Sequence, residues 1–186
     1  MKVIFIAGTD TGVGKTFVTN LLARHLTDKG YRVTTQKWVE TGVVKSRAIF
    51  SFKFAGSPHL AAKLEGKNIK IGKIRKGLNK LSRDFDFVIV EGTGGILVPL
   101  TGEKLFIDVV KELKLPVLLV AANKLGAINH TLLSLEALRA RQMKVLGVLF
   151  NNVSKKENKL IVKDNPRIVR RFAKGIPVWI NGWQKT

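Results

Sequence analysis

Residues 2–16, KVIFIAGTDTGVGKT, decide the fold, because they join an apolar run to a glycine-rich turn and then to a helix. The run from Val3 to Ala7 is rich in β-branched residues and is typical of a buried parallel strand. After the turn, apolar side chains recur on one face of a helix at Phe17, Leu21, Leu22 and Leu26. Strand, glycine-rich turn and helix, in this order, predict a phosphate-binding loop.

The loop has the chemistry that a triphosphate requires. Gly8, Gly12 and Gly14 let backbone N–H groups turn toward anionic oxygens, and the helix N-terminus adds positive potential. In such a loop Lys15 would reach the β- and γ-phosphates, and Thr16 would offer its hydroxyl to Mg²⁺. The first glycine and the Gly-Lys pair are separated by one residue more than in the common pattern, which favours a variant loop of enzymes that act on small metabolites. The alternative is an ordinary glycine-rich turn between a strand and a helix.

Length and composition predict one domain, over residues 1–186. The chain has no cysteine, which excludes disulfides and thiolate metal sites. The apolar run at the start is too short for a signal peptide, and the longest later run, Pro116–Ala122, is far below the ~20 residues of a membrane span. We therefore expect a soluble, cytoplasmic protein with no membrane partner.

The net charge is +20, from 33 basic and 13 acidic residues, and it has three interpretations. The basic residues could attract nucleic acid or an anionic membrane, could serve phosphate-bearing substrates, or could form a solvated surface. They are denser over 70–83 and 155–174, but no interleaved aromatic pattern accompanies them. We favour the solvated surface, and nucleic acid is not the expected partner.

Strands and helices alternate along the chain, which predicts an α/β fold with a single-domain, doubly wound, mostly parallel β-sheet flanked by helices. Further predicted strands are Tyr31–Gln36, a short edge strand at Ala48–Phe54, Asp86–Val90, Pro116–Ala122, Lys144–Phe150 and Ile176–Ile180. Further predicted helices are Pro58–Glu65, Lys70–Leu81, Lys104–Leu113, one capped by Asn123 or Asn129 that ends near Arg141, and Asp164–Ala173. Residues 154–163 are predicted to be a basic loop.

Polar residues follow three of these strands, at the edge where ligands of an open α/β sheet bind. Lys37 follows the second strand and would face the same crevice as the loop; the alternative is a surface lysine. Glu91 follows a central strand, where a P-loop enzyme keeps an acid on the metal side; the alternative is a turn or capping glutamate. Asn151 and Asn152 could contact the edge of a base, or cap a turn.

Four segments together resemble the dethiobiotin synthetase family, the ATP-dependent enzymes of biotin synthesis. They are GTDTGVGKT (8–16), QKWVETG (36–42), VEGTGGILVP (90–99) and LGAINH (125–130), and SPHLAA (57–62) is also similar. The combination is far more specific than any one segment. The resemblance extends from Met1 to about Asn152, and more weakly to the end, where Gly175–Trp183 fits loosely.

The resemblance implies a reaction and its partners. Diaminopelargonate takes up CO₂ as a carbamate, the carbamate attacks the γ-phosphate of MgATP, and the second amine closes the ureido ring and expels phosphate. ATP is then a co-substrate and Mg²⁺ a cofactor. A homodimer is also implied, in which the Gly126–Asn129 turn receives the substrate carboxylate of the neighbouring subunit.

The resemblance also implies roles for individual residues. The catalytic lysines would be Lys15 and Lys37, and the magnesium ligands would be Thr16 and Glu91. The nucleotide would contact Gly12, Val13, Gly14, Lys15, Thr16, Phe17, Glu91, Gly92, Thr93, Gly94, Asn151 and Asn152. The substrate would contact Thr11, Thr41, Gly126, Ala127, Ile128 and Asn129.

This sequence departs from the family pattern at a few places. Trp38 stands where the family usually has proline, and Thr93 where it usually has alanine. The segment between Gly42 and Ser57 looks shortened and lacks the family's aspartate that helps bind MgATP. We expect metal binding to be weaker, or to be completed by water or another acid such as Asp10.

Two other functions compete with this ligase. One is a related P-loop enzyme that activates another carboxylate, although such enzymes usually carry a glutaminase domain with a nucleophilic cysteine. The other is a non-enzymatic or regulatory nucleotide-binding protein of the partitioning-ATPase kind, but the lysine early in its loop is absent here, where Thr9 and Asp10 stand.

Overall fold

The computed structural model describes residues 2–182. The strands are β1 (Lys2–Gly8), β2 (Val33–Lys37), β3 (Val39–Thr41), β4 (Phe50–Phe52), β5 (Phe87–Gly95), β6 (Val117–Ala122), β7 (Val145–Asn151) and β8 (Val178–Asn181). The helices are α1 (Lys15–Asp28), α2 (Pro58–Leu64), α3 (Ile71–Asp84), α4 (Phe106–Glu112), α5 (Ala127–Ala140) and α6 (Lys159–Phe172).

Six strands form one sheet in the order β2-β5-β1-β6-β7-β8, and every neighbouring pair is parallel. The chain starts in the middle of the sheet, moves to one edge through β2, and later moves to the other edge through β7 and β8. This reversal creates the crevice at the carboxyl ends of the central strands where ligands of such sheets bind. The predicted fold class is confirmed.

Alternating side chains of the central strand β1 face two different apolar clusters, as strand geometry requires. Ile6 belongs to a smaller cluster with Val18 of α1. Phe5 belongs to a larger cluster to which α2–α6 all contribute. The sheet is therefore covered by helices on both faces, and α1 holds the loop that precedes it against β1 and β5.

Two local predictions are wrong. The basic loop expected over 154–163 ends early, because α6 begins at Lys159 after Asn158, whose side chain accepts a hydrogen bond from the Leu160 N–H at 2.9 Å. Neither Asn123 nor Asn129 caps α5, because that helix begins directly after Gly126, whose φ of 85° is left-handed.

The structure also alters two predicted strands: it extends one, and it shortens the other and pairs it elsewhere. The central strand β5 continues five residues beyond Val90 to Gly95, which brings Glu91 inside the sheet rather than after it. The short strand expected over 48–54 appears as β4, but it pairs with β3 in a separate two-stranded sheet instead of extending the main one. Of the loosely fitting terminal segment, Trp183 lies outside the described residues. No helix within residues 2–182 has the length and apolar character needed to cross a membrane.

Candidate active site

The loop between β1 and α1 is closely packed around the Lys15 ammonium. Lys15 is 8% exposed, and its Nζ donates to the Asp10 carbonyl at 3.0 Å. A Cβ on Gly8 would lie 2.7 Å from this Nζ and 2.9 Å from the Gly94 carbonyl, so a side chain there would displace the lysine. The loop therefore holds Lys15 at the N-terminus of α1, where backbone N–H groups attract phosphate.

A cavity of about 350 Å³ opens above this loop, and we call it the P-loop cavity. It is lined by Thr11, Gly12, Gly14, Lys15, Thr16, Lys37, Glu40, Thr41, Glu91, Gly92, Thr93 and Gly94. Residues predicted from three separate segments thus meet at one site. The predicted site residues that do not line it are Val13, Phe17, Asn151, Asn152, Gly126, Ala127, Ile128 and Asn129.

A chain of polar contacts connects the loop to the end of β2. The Thr16 hydroxyl donates to Glu91 Oε1 at 2.7 Å. The same oxygen lies 3.3 Å from Lys37 Nζ, which also donates to Glu40 Oε1 at 2.8 Å. Sheet register explains this meeting, because Lys37 and Glu91 are paired neighbours on the parallel strands β2 and β5.

The two lysines of the cavity differ in their electrostatics. The pKa of Lys15 is lowered from 10.5 to about 8: burial is the main cause and the charge of Lys37 adds to it, while the charges of Glu91 and Asp10 act against the shift. Burial also acts to lower the pKa of Lys37, but hydrogen bonds and charges from Glu40 and Glu91 outweigh it and raise that pKa. Hydrogen bonds from Lys37 and Ser46 lower the pKa of Glu40. Lys37 is therefore a stable cation, whereas Lys15 lacks its full complement of anionic partners.

The structure shows where the acids lie that were considered as replacements for the missing aspartate of the 43–57 segment, and where Glu40 lies. Glu65 is used elsewhere: it accepts from the Lys53 N–H at 2.6 Å and pairs with Lys67 at 2.8 Å. Asp10 accepts from the Thr11 N–H at 2.7 Å and does not line the P-loop cavity. The acid that does line it, besides Glu91, is Glu40.

The donor set around Thr16 fits Mg²⁺ chemically. Magnesium prefers hard oxygen ligands and keeps several waters, so it needs only one or two protein ligands besides the substrate phosphates. A hydroxyl and a carboxylate oxygen converge here, within 2.7 Å of each other, at the start of α1. Within residues 2–182 there is no group of three or more His, Cys, Asp or Glu that could hold a metal by itself.

Asn151 lies under the loop rather than in the cavity. Its Nδ2 donates to the Val13 carbonyl at 3.1 Å, and its Oδ1 accepts from Asn181 at 3.0 Å. A Cβ on Gly14 would lie 2.0 Å from the Asn151 Nδ2, so the two residues fit only because Gly14 has no side chain. In this structure Asn151 supports the loop, and its contact with a base stays a prediction.

Asn152 belongs to a neighbouring network of amides. It accepts from Asn123 Nδ2 at 2.9 Å, and the Asn123 Oδ1 accepts from Asn165 of α6 at 3.0 Å. The ends of β6 and β7 are thereby tied to α6. Asn123 is fully buried, and it therefore has a packing role rather than the helix-capping role that the sequence predicted.

The two substitutions relative to the family pattern contact the same short segment. Trp38 is fully buried and stacks on Phe106 with ring centroids 6.4 Å apart. The Thr93 hydroxyl donates to the carbonyl of Val39, the residue that follows Trp38. Together they fix the backbone between β2 and β3, directly beside Lys37.

The predicted substrate turn, Gly126–Asn129, lies at the start of α5 and outside the P-loop cavity. Exposed leucines surround this part of the surface: Leu125 is 77% exposed and Leu133 is 56% exposed. Leu133 and Leu97 line a shallow depression with Thr9 and Asp10, next to the loop. The turn does not contribute to the cavity of its own chain.

A second cavity, of about 530 Å³, adjoins the P-loop cavity. The two share Thr11, Thr41, Thr93 and Gly94. The rest of the lining is small or apolar: Ala55, Gly56, Ser57, Pro58 and Val98. A polar reaction centre thus continues into a space that an alkyl chain could occupy, and SPHLAA provides part of its wall.

Sequence reasoning missed two residues of this site, Glu40 and Ser46. Glu40 accepts from both Lys37 and the Ser46 hydroxyl, and the Ser46 oxygen accepts from the Ala48 N–H at 3.0 Å. The spacing of three residues between Lys37 and Glu40 was the available signal. Nothing in the sequence indicated that the loop after β3 would bring Ser46 into contact with Glu40.

Comparison with known proteins gives a consistent result. A family model described as an AAA domain matches residues 2–178. The ATP-dependent dethiobiotin synthetase BioD of Lysinibacillus sphaericus is 44% identical over 177 residues, which cover 81% of this chain and 76% of that protein. The ATP-dependent dethiobiotin synthetase BioD 2 of Haemophilus influenzae is 38% identical over 187 residues, which cover 88% and 98%.

Solved structures with low identity show the fold alone. Apo McdA of Cyanthece aligns with a TM-score of 0.62 at 14% identity, over 99% of this chain and 87% of that one. The septum site-determining protein MinD of Pyrococcus horikoshii, complexed with Mg-ADP, aligns with a TM-score of 0.56 at 17% identity, over 95% and 86%.

Proposed function

The chain belongs to the ATP-dependent dethiobiotin synthetase family, and from this premise we infer that it makes dethiobiotin in biotin biosynthesis with ATP as co-substrate. The observation that carries the inference is the meeting of Lys15, Thr16, Lys37 and Glu91 at one cavity. Several curated relatives at 33% to 44% identity are dethiobiotin synthetases, so neither a different carboxylate-activating ligase nor a partitioning ATPase is favoured.

The proposed reaction joins a diamine, CO₂ and ATP. One amine of diaminopelargonate takes up CO₂ to form a carbamate and releases a proton. A carbamate oxygen attacks the γ-phosphorus, the bond to the bridging oxygen breaks, and ADP leaves. The second amine then attacks the carbonyl carbon of the mixed anhydride, which closes the ureido ring and expels phosphate. Both anionic reactants must be held together, so catalysis depends on position and positive charge.

Lys15 of the loop and Lys37 at the end of β2 both line the cavity and supply that charge. Lys15 is buried at the helix N-terminus with a lowered pKa, so phosphate oxygens would restore the anionic partners that it lacks. Lys37 lies on the neighbouring strand end, beside Thr41 and Glu40, and would contact the carbamate and the γ-phosphate. Gly12, Gly14 and the first turn of α1 would contact the triphosphate.

Thr16 and Glu91 would hold Mg²⁺, because their oxygens already lie 2.7 Å apart at the phosphate end of the cavity. The metal would neutralise charge on the phosphate oxygens during transfer. Glu91 shares its oxygen with Lys37 at 3.3 Å. Glu91 therefore has to serve both a lysine and a metal.

The diamine would occupy the adjoining cavity, with its reacting nitrogens toward Thr11 and Thr41. These two threonines line both cavities. The alkyl chain would lie against Val98 and Pro58. Burial of methylene groups there contributes roughly 0.8 kcal/mol each.

A homodimer would complete the site. The Gly126–Asn129 turn lies outside its own cavity, beside the exposed Leu125 and Leu133, so it is free to bind the substrate carboxylate of a partner subunit. Sedimentation of wild type and Leu133→Glu tests this, with Leu64→Glu, another exposed leucine, as the matched control. A dimer that Leu133→Glu alone dissociates supports the proposal, and a monomeric wild type contradicts it. A cytoplasmic location stays a prediction from the sequence.

The reaction path is tested with oxygen isotopes. Bicarbonate fully labelled with ¹⁸O loses one oxygen to water when it forms CO₂, so the carbamate carries two labelled oxygens. Turnover should place one ¹⁸O in the released phosphate and the other in the ureido carbonyl, since one carbamate oxygen becomes a phosphate oxygen. Dethiobiotin formed without ¹⁸O in phosphate would contradict attack by the carbamate.

A further inference from the structure

Glu40 has contacts that the proposed reaction does not explain. Its Oε1 accepts from Lys37 Nζ at 2.8 Å across the break between β2 and β3. Its Oε2 accepts from the Ser46 hydroxyl, whose oxygen accepts from the Ala48 N–H at 3.0 Å. Both carboxylate oxygens are thus occupied, one by the lysine and one by the loop that follows β3.

Lys37 has a second anionic neighbour that is less dependable. Glu91 Oε1 lies 3.3 Å from Lys37 Nζ, but the same oxygen accepts the Thr16 hydroxyl at 2.7 Å. Under the proposed function Glu91 also serves the metal. Glu40 Oε1, in contrast, accepts from Lys37 without another assigned partner, because the other oxygen of Glu40 is the one that Ser46 contacts.

From these contacts we propose that Glu40 is a positioning residue that keeps the Lys37 ammonium directed into the P-loop cavity independently of Glu91, and that Ser46 orients Glu40 for this purpose. Lys37 faces one further charged group of the cavity, Lys15, which would push it away from the phosphate end. The 43–57 segment looks shortened relative to the family, and its residue Ser46 acquires a function in this way, because it holds the carboxylate that contacts Lys37. The expected effect on turnover rests on the proposed function, whereas the position of Lys37 does not.

The kinetic test separates position from binding. Displacing Lys37 by about 1 Å is expected to cost on the order of 10²-fold in rate. Glu40→Ala should therefore lower kcat by roughly 10- to 100-fold while the KM for ATP changes little. Ser46→Ala should also lower kcat, by a smaller factor than Glu40→Ala. Ser46→Thr, which keeps the hydroxyl, should have a kcat close to that of wild type.

A double-mutant cycle shows whether Glu40 acts through Lys37. Single-turnover assays with enzyme in excess should give the same rate for Lys37→Ala and for Lys37→Ala combined with Glu40→Ala. The control is Glu65→Gln, since Glu65 is a carboxylate that also accepts hydrogen bonds, from the Lys53 and Phe54 N–H groups, but does not line the P-loop cavity. Additive losses, or a normal kcat in Glu40→Ala, would overturn the proposal.

A structural readout does not depend on activity. Crystal structures of wild type and Glu40→Ala without ligand should show Lys37 Nζ displaced toward Glu91, or without a fixed position, in the variant. An unchanged lysine would overturn the proposal. A wild-type protein that makes no dethiobiotin would refute the proposed function instead, and this crystallographic comparison would still decide the role of Glu40.

Discussion

Lys37 and Glu91 are register partners on the adjacent parallel strands β2 and β5, and Lys37 Nζ lies 3.3 Å from Glu91 Oε1. Parallel register places neighbouring strand ends at one level, so the sheet brings these two side chains within reach of each other. The Thr16 hydroxyl on the same oxygen then connects the pair to the phosphate loop.

Glu91→Gln should separate metal-dependent from metal-independent nucleotide binding. The amide keeps the size of the side chain but loses the charge that Lys37 contacts and that Mg²⁺ would use under the proposed function. We expect the affinity for ATP in magnesium to fall by about 10- to 100-fold, with little change in EDTA. Calorimetric titration measures both values. Glu103→Gln, an exposed acid, is the control, and an equal loss in magnesium and EDTA would exclude Glu91 as a metal-side residue.

Lys15→Met should stabilise the nucleotide-free protein while it abolishes ATP binding. Because the folded pKa of Lys15, about 8, lies below the ordinary 10.5, the folded state must bury a charge at any pH below 8. That destabilisation amounts to up to about 3 kcal/mol and is relieved as the pH rises from about 8 to 10.5.

Urea unfolding measures this difference. The free energy of unfolding of Lys15→Met should be larger than that of wild type at pH 7. This difference in unfolding free energy should be smaller at pH 9.5. The exposed Lys76→Met is the control and should show no pH-dependent gap. A Lys15→Met variant less stable than wild type at pH 7 would contradict the assignment.

Gly14→Ala and Gly12→Ala should differ, although both residues have left-handed φ, at 89° and 71°. A new Cβ on Gly14 meets the Asn151 amide at 2.0 Å, whereas nothing lies within 4 Å of one on Gly12. Gly12→Ala should cost only the left-handed strain, roughly 1–2 kcal/mol. Gly14→Ala should cost more and should lower the affinity for ATP as the loop shifts. Chemical denaturation and nucleotide titration measure the pair, and equal effects would mean that Asn151 does not support the loop.

Trp38→Phe should be well tolerated, and Trp38→Ala should not. Within residues 2–182 the buried indole N–H of Trp38 has no hydrogen-bond partner, so removing it recovers a desolvation cost of about 1–3 kcal/mol. Phenylalanine keeps the stacking on Phe106, whereas alanine leaves a cavity that costs about 3–5 kcal/mol. Thermal unfolding of both variants measures the difference. A Trp38→Phe variant as unstable as Trp38→Ala would show that the indole has a partner.

The sequence predicted the fold well where a periodic pattern carried the information. The strand, loop and helix of residues 2–28 lie as expected, because apolar spacing and glycine position are local signals. The start of α6 was missed because none of its first five residues is buried, Leu160 being 76% exposed, so no core-facing pattern marks it and only the Asn158 cap does. Glu40 and Ser46 meet through a loop, and loop geometry has no periodicity to predict it.

The central claim is that this chain joins a diamine, CO₂ and ATP through Lys37. The most direct measurement is turnover of diaminopelargonate with bicarbonate and MgATP, with dethiobiotin measured by mass and ADP measured in parallel. We expect one dethiobiotin for each ADP in wild type and a loss of at least about 100-fold in Lys37→Ala, with Lys76→Met unchanged. ATP binding without dethiobiotin in wild type, or full turnover in Lys37→Ala, would contradict the claim.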